Sequence, residues 1–242
     1  MTADEKPQAE TTYKSHDIRT DRAFLPREPK VIPLPQLYQK MKDRSHHWST
    51  CYPAWNLQYY CCLGSLKHDR PNVLVETGTN HGCSAALLAQ TLVETKLEGH
   101  LHTFELDVKR ANRARQLFKE LNLQGRITVH VGDCHELVPQ VITAETPVDF
   151  AFIDANHATQ ACVTETEMLI SNVKLGRGKF YFDNTWCGPV DAALCQLKEK
   201  YGTSGWVDFP NVSRVPNGQA IWQPWQRTEP IEWHDSKKER AK

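Results

Sequence analysis

The sequence has no long hydrophobic run and no excess charge of either sign. No apolar segment approaches the roughly 18 residues of a membrane-spanning helix. Residues 1–17 lack the hydrophobic stretch of a signal peptide. We therefore expect no membrane partner and a cytoplasmic location. The 242 residues include 29 basic and 29 acidic ones, and this balance argues against a nucleic-acid partner.

One cysteine motif and one glycine motif are also missing. The eight cysteines form no CxxC pair, so we expect free thiols rather than a zinc site or a disulfide framework. The GxGxxG fingerprint of dinucleotide-binding proteins is absent, because Thr79 and Asn80 follow Gly78. That backbone could not approach a pyrophosphate closely, which favours a cofactor with a nucleoside but no diphosphate.

The chain divides into four segments. Residues 1–32 are polar without periodic hydrophobicity and predict a flexible N-terminal arm. Residues 33–70 predict two helices that form a lid or substrate-side segment. Residues 71–226 predict the main domain, and residues 227–242 a polar tail.

The main domain shows an alternation of hydrophobic strands and helical segments. This pattern predicts βαβ units, and hence an α/β fold with a Rossmann-like, mostly parallel sheet and helices on both faces. Two later strands flank Pro216–Gly218 and predict an antiparallel C-terminal hairpin, which makes seven strands. The predicted parallel strands are Val73–Thr77, Leu101–Glu105, Arg126–Val131, Val148–Asp154 and Lys179–Asp183.

An acidic residue stands at or near the end of each predicted parallel strand. Ligands of open α/β sheets bind at the carboxyl ends of the strands, where the strand order reverses. Five acids at these positions therefore predict a pocket, although helix capping could account for two or three of them. The five are Glu76, Glu105, Asp133, Asp154 and Asp183.

Three of these acids suit the parts of S-adenosylmethionine, which has an adenosine, an ammonium group and no phosphate. Glu105 could accept hydrogen bonds from both ribose hydroxyls. Asp133, next to Cys134, could accept one from the adenine amine. Glu76, beside the turn that begins at Gly78, could pair with the ammonium group.

Asp154, Asp183 and Asn184 form an all-oxygen set after two strands that we expect to be neighbours. Such a set suits Mg²⁺, Mn²⁺ or Ca²⁺. The alternative is that Asp154 caps the next helix and the other two form a turn. His157, three residues after Asp154, could remove a substrate proton near pH 7, or could be a surface residue.

At these motifs the sequence resembles the class I S-adenosylmethionine-dependent methyltransferases. It is most similar to the cation-dependent O-methyltransferases of the caffeoyl-CoA and catechol type. The segments VDFAFIDANH and KFYFDNTWCG carry that similarity. VETGTNHGCSAALLA resembles the first motif of sugar and antibiotic-tailoring methyltransferases. The resemblance covers residues 73–190, about half of the chain.

The resemblance implies roles for individual residues. Metal ligation falls to Asp154, Asp183 and Asn184. The sequence departs from the caffeoyl-CoA group at Asn156 and His157, where that group has a second aspartate and a lysine. The implied cofactor contacts are Glu76, Gly78, Ser84, Glu105 and Asp133, with Cys134 beside them.

The expected function is O-methylation of a small hydroxylated acceptor, such as a phenol, catechol, sugar or natural product. S-adenosylmethionine would be the methyl donor and Mg²⁺ the first choice of cation. Three alternatives stay open: a metal-independent methyltransferase with His157 as sole base, a nucleotide-binding oxidoreductase, and a non-catalytic binding protein. Related enzymes are often dimers, so a homodimer is one expected arrangement.

The aromatic residues of the helical segment allow two interpretations. Trp48, Trp55, Tyr59 and Tyr60 could form a wall for the methyl acceptor. They could instead pack against the sheet, which we expect for at least half of them.

Overall fold

The computed structural model describes Leu37, residues 54–210 and residues 218–225. These residues form the predicted α/β fold, with one seven-stranded sheet in the order β3-β2-β1-β4-β5-β7-β6. The strands are β1 (Asn72–Thr77), β2 (Gly99–Glu105), β3 (Ile127–Val131), β4 (Phe150–Ile153), β5 (Lys179–Phe182), β6 (Trp206–Phe209) and β7 (Gln219–Trp222). The predicted N-terminal arm, most of the first predicted helix, the core of the hairpin turn and the predicted tail lie outside the described residues.

Helices connect the parallel strands in the way that the alternating pattern predicts. Where a helix follows a strand, its first turn lies at the carboxyl end of that strand. Asp107 illustrates the local cause of a helix start, because its Oδ1 accepts hydrogen bonds from the Lys109 and Arg110 amides. The described helices are α1 (Ala54–Leu63), α2 (Cys83–Thr95), α3 (Val108–Glu120), α4 (Cys134–Val141), α5 (Thr159–Gly176) and α6 (Gly188–Tyr201).

The strand order reverses between β1 and β4. Both strands belong to the parallel part of the sheet, with β2 and β3 on one side and β5 on the other. Strand β7 is antiparallel to both β5 and β6, so the last strand in the sequence lies between them. The carboxyl ends of β1 and β4 therefore border the crevice in which such sheets bind ligands.

Hydrophobic side chains cover both faces of the sheet. Successive residues of β1 point to opposite sides, so Leu74 joins one core and Val75 the other. Phe152 belongs to the first core with the side chains of α2 and α3, and Phe180 to the second with those of α5 and α6. Burial on both faces explains why the predicted strands are continuous hydrophobic runs.

The aromatic residues of α1 mostly pack in the core. Trp55 and Tyr59 are buried, and the Tyr59 hydroxyl donates a hydrogen bond to Glu94. Core packing is thus confirmed for these two, whereas Tyr60 is exposed. Trp48 lies outside the described residues.

Two further expectations concern cysteines and membranes. All seven cysteines in the described part of the chain are free thiols, as expected from the missing CxxC pairs. Cys51 lies outside that part. Within the described ranges, every helix is too short or too polar to cross a lipid bilayer.

Three histidines form a cluster on strands β2 and β3. The His102 and His130 rings stack with their centroids 5.4 Å apart, and His102 Nδ1 lies 3.1 Å from His130 Nε2. His100 lies next to His102 and contacts Thr128 Oγ1 at 2.8 Å. Burial, together with the neighbouring His100 and His130, lowers the pKa of His102 to about 4. The folded protein therefore keeps this ring neutral in mild acid.

The neutral His102 predicts a loss of stability between pH 6.5 and 4. In this range the unfolded chain, with an ordinary histidine pKa near 6.5, binds a proton that the folded protein does not bind. The free energy of unfolding should therefore decrease as the pH is lowered through this range. The contribution of His102 is about 1 kcal/mol after allowance for solvent screening. Urea unfolding at pH 7.5 and 5.0 should show a smaller pH effect in His102→Gln, and an unchanged one in the exposed control His68→Gln.

Candidate functional site

A cavity of about 600 Å³ opens at the carboxyl ends of the parallel strands. The loops after β1, β2, β3, β4 and β5 all contribute to its lining. Each strand end or the loop after it supplies at least one predicted site residue: Gly78, Glu105, Asp133 with Cys134, Asp154 with His157, and Asn184 respectively. The strand-end rule thus located the cavity correctly from the sequence.

The glycine turn after β1 is packed tightly against the end of β4. Gly78 has a φ of +87°, and a Cβ atom built there would lie 2.4 Å from the Asp154 carbonyl oxygen. The Gly78 and Thr79 amides both donate to the Phe104 carbonyl at 3.0 Å. Only glycine combines a positive φ with the absence of a Cβ atom, so Gly78 allows the end of the first strand to approach the end of the fourth this closely.

Glu105 links the loops after β1 and β2. Its Oε2 accepts a hydrogen bond from the Asn80 amide at 2.6 Å, and its Oε1 accepts one from the Asp107 amide at 2.9 Å. These two bonds orient the carboxylate while it still borders the cavity. Each oxygen keeps a lone pair for a ligand hydroxyl. Asp107, two residues after Glu105, has a different role, since its side chain caps α3.

Asp133 and Cys134 border the cavity at the start of α4. The Asp133 side chain caps this helix, because its Oδ1 accepts from the His135 amide at 2.8 Å. In the part of the chain that the structure describes, only this oxygen of the carboxylate accepts a hydrogen bond. Burial, together with nearby Glu165, raises the pKa of the Cys134 thiol to about 12. Both predicted cofactor residues therefore lie on this side of the cavity, with the thiol protonated.

Glu76 and Ser84 flank the glycine turn in the sequence and are not among the residues that line the cavity. Glu76 is fully buried, and burial raises the pKa of its carboxyl group to about 8. Thr103 donates a hydrogen bond to Oε2, and Ser84 also bonds this side chain. Within the described ranges, Glu76 Oε1 has no hydrogen-bond partner.

Asp154 and His157 form a pair at the cavity. His157 Nε2 lies 3.3 Å from Asp154 Oδ1, and this contact raises the pKa of the imidazole. Burial and the charge of Asp183 raise the pKa of Asp154 to about 7, against the opposing effect of His157. The alternative that Asp154 caps the next helix is wrong, because the residue preceding α5 is Ala158.

Asp183 lies behind Asn184 rather than in the cavity lining. Its Oδ1 accepts a hydrogen bond from the Asn184 amide at 2.8 Å and another from the Gln219 side chain. Asn184 has a φ of +57°, which turns the chain so that its side chain borders the cavity. Sequence reasoning missed Gln219, a buried glutamine at the start of the apolar strand β7.

A second missed residue is Glu165, a fully buried acid in α5. Thr77 Oγ1 donates to Glu165 Oε2 at 2.6 Å, and the Asp154 amide donates to Thr77 Oγ1 at 3.2 Å. The Asn156 amide also bonds this carboxylate. Glu165 therefore supports the loop that carries Asp154 and His157. In the sequence it stands in TETEM, where nothing separates it from an exposed helical acid.

Two exposed apolar side chains border this region. Leu106, 73% exposed, borders the cavity next to Glu105. Trp186, 53% exposed, follows Asn184 in the loop after β5. Its ring packs over Gly218, where an added Cβ would come within 2.6 Å of Trp186 Cδ1. Apolar surface is thus available on two sides of the polar strand ends.

Comparison with known proteins decides the family. Residues 75–184 match a family model described as a methyltransferase domain. The chain is 36% identical over 137 residues to catechol O-methyltransferase of Sus scrofa. This aligned stretch covers 55% of this chain and 70% of that protein. The chain belongs to the S-adenosylmethionine-dependent O-methyltransferase family. The sequence resemblance and the predicted fold class are therefore confirmed.

Solved structures of other methyltransferases share this fold. The O-methyltransferase TomG of Streptomyces achromogenes, solved with S-adenosylmethionine, gives a TM-score of 0.58 at 18% identity, over 83% of this chain and 92% of that one. An O-methyltransferase of Bacillus cereus, solved with S-adenosylhomocysteine, gives a TM-score of 0.58 at 19% identity. The match covers 78% of this chain and 88% of that one. The methyltransferase assignment makes the oxidoreductase alternative untenable.

Proposed function

We propose that this methyltransferase transfers a methyl group to a hydroxyl of a small molecule with the help of a divalent cation. The observation that carries the proposal is the position of Asp154 and Asn184. Both border the same cavity as Glu105 and Asp133, the residues proposed for the cofactor. A methyl donor and an acceptor oxygen bound at these two ends would meet within one enclosed space.

The residues proposed as cation ligands suit a hard divalent ion. Asp154, Asp183 and Asn184 offer only oxygen atoms. The charge of Asp183 raises the pKa of Asp154, so the two carboxylates repel each other. A cation held between them would remove that repulsion. The Asn184 amide and the Gln219 side chain both donate to Asp183 Oδ1, and these hydrogen bonds fix the orientation of the carboxylate that we propose for the ion.

A bound divalent cation lowers the pKa of a coordinated hydroxyl group. His157 would accept the proton from the acceptor hydroxyl, and its contact with Asp154 supports a basic imidazole. Glu105 and Asp133 would hold the nucleoside of S-adenosylmethionine, whose sulfonium supplies the methyl group. The chain thus contributes mainly orientation of two reactants and removal of one proton.

The acceptor that we propose is flat and carries neighbouring hydroxyls. Trp186, two residues after Asn184, presents an exposed ring that could cover an aromatic acceptor. The related protein of Sus scrofa is named a catechol O-methyltransferase, which supports vicinal hydroxyls as the first acceptors to test.

A metal-independent reaction is the second candidate. The 3.3 Å contact between His157 and Asp154 favours it, because this pair could act as a base without a cation. The two candidates differ in one respect that can be measured directly, which is the response of turnover to a chelator.

The experiment combines calorimetry with a turnover assay. S-adenosylhomocysteine is titrated into the metal-free protein, then Mg²⁺ is titrated alone, and methyl transfer to catechols is measured with and without EDTA. We expect cofactor binding, a separate Mg²⁺ site and a loss of turnover of at least about a hundredfold in EDTA. Turnover that is unchanged by EDTA would favour His157 as sole base. Absence of cofactor binding would contradict both candidates.

A further inference from the structure

A second group of metal-binding side chains lies in the same cavity, away from Asp183. It consists of Cys134 and His135 at the start of α4 and Glu165 in α5. Their potential ligand atoms all lie within 4.8 Å of one another. All three residues belong to the cavity lining. They supply a thiol, an imidazole and a carboxylate, which is a different chemistry from the all-oxygen set near Asn184.

The Glu165 carboxylate provides the independent evidence for a ligand here. Its side chain is fully buried, and Oε1 has no hydrogen-bond partner within the described ranges. Oε1 faces His135 Nε2 at 3.6 Å. The other oxygen is held by Thr77 Oγ1 at 2.6 Å, which fixes the direction of the carboxylate. A buried acceptor without a hydrogen bond is costly, and a bound cation would satisfy it.

We propose that Cys134, His135 and Glu165 form a second cation site that takes a borderline transition-metal ion such as Zn²⁺. Mixed sulfur, nitrogen and oxygen donors are typical ligands of zinc, whereas Mg²⁺ requires oxygen. In a tetrahedral zinc site, neighbouring ligand atoms are about 3.4 Å apart. The His135–Glu165 distance already matches this spacing, and the 4.8 Å limit leaves only small side-chain movements for Cys134.

The proposed site would keep one open coordination position, and a hydrogen bond from Thr77 orients one of its ligands. Zinc in such sites takes four ligands, so three protein ligands would leave one position for a ligand from the cavity that all three residues line. Thr77 acts behind the ligands, since its hydroxyl holds the Glu165 carboxylate in place. Binding of the ion replaces the thiol proton of Cys134, so affinity should increase with pH.

The position of the site predicts competition with the cofactor. Cys134 follows Asp133, the residue proposed for the adenine, and both border the same cavity. An ion bound at Cys134 would occupy the space that the adenine needs. Zinc is therefore expected to inhibit the enzyme by lowering its affinity for the cofactor. This competition rests on the proposed cofactor position, whereas the ion site itself does not.

The direct test uses Co²⁺ as a probe in the full-length, chelator-treated protein. Cobalt bound to a thiolate gives a sulfur-to-metal charge-transfer absorption, which cobalt bound to oxygen ligands lacks. We expect this absorption in the wild type and in Asp183→Asn, where the proposed magnesium site is damaged. It should persist in the matched control Cys195→Ser, at an exposed cysteine, and disappear in Cys134→Ser.

The other two ligands are tested by affinity. His135→Ala and Glu165→Gln should each weaken Co²⁺ binding at least tenfold. His135 is partly exposed, so its replacement keeps the test valid even if the buried Glu165 variant fails to fold. Absence of the charge-transfer absorption in the wild type, its persistence in Cys134→Ser, or unchanged affinity in His135→Ala would overturn the proposal.

Competition is measured by titrating S-adenosylhomocysteine with and without one equivalent of Zn²⁺. We expect at least fivefold weaker binding with zinc in the wild type and no zinc effect in Cys134→Ser. A cobalt absorption together with unchanged S-adenosylhomocysteine affinity would overturn the competition. Failure of the proposed cofactor position would be seen separately, as absence of binding to the metal-free protein.

Discussion

Replacing Gly78 with alanine is expected to destabilise the protein by about 3 kcal/mol or more and to weaken S-adenosylhomocysteine binding at least tenfold. The added Cβ would lie 2.4 Å from the Asp154 carbonyl oxygen, and φ is +87°. The backbone must therefore move at the point where the first and fourth strand ends meet. Chemical unfolding measures the stability change, and calorimetry measures the affinity.

Gly202→Ala is a matched control for this prediction. Gly202 also has a φ of +85°, but nothing lies within 4 Å of its added Cβ. It should lose only the backbone contribution of about 1–3 kcal/mol and bind the cofactor normally. If the two variants lost equal stability and bound the cofactor equally well, the close contact with Asp154 would have no functional role.

The second large effect is expected for Asp154→Asn, which should lower kcat by about a hundredfold to a thousandfold. The change removes a carboxylate that we assign to the cation, and it removes the partner of His157. Glu105 and the glycine turn stay unchanged, so affinity for S-adenosylhomocysteine should stay within about threefold. Steady-state kinetics with a catechol acceptor and calorimetry on the same preparation measure the two quantities.

Asp208→Asn provides the comparison for Asp154. The Asp208 side chain is 56% exposed and pairs with Lys198 on the hairpin edge of the sheet. Its loss should leave kcat unchanged, because exposed ion pairs contribute little. Retention of full activity in Asp154→Asn would contradict the roles assigned to that carboxylate.

The architecture could be predicted from the sequence because its elements are local patterns. Each parallel strand is a short hydrophobic run, and each is followed by a helical segment. The acids at the strand ends then located the cavity, since parallel strands bring their carboxyl ends together. Glu105 and Asp154 border the cavity for that reason, although they are about 50 residues apart in the chain.

The supporting residues could not be predicted, because their roles depend on contacts between distant segments. Glu165 looks like an exposed helical acid in the sequence, yet it is buried and bonded to Thr77, 88 residues earlier. Gln219 gives no signal either, because its contact with Asp183 requires β7 to lie next to β5. Glu76 shows the opposite case: its position at a strand end suggests a ligand contact, but the side chain is buried under the turn.

The position of β7 has a consequence for the order in which the site is completed during synthesis. Strand β6 pairs with β7 and reaches the rest of the sheet only through it. Gln219, which orients Asp183, is the first residue of β7. A nascent chain that has passed β5 but not residue 219 therefore has an open sheet edge and an incompletely oriented Asp183. The side that we assign to the cofactor, built from β1, β2 and β3, can form on the ribosome well before the side that we assign to the cation.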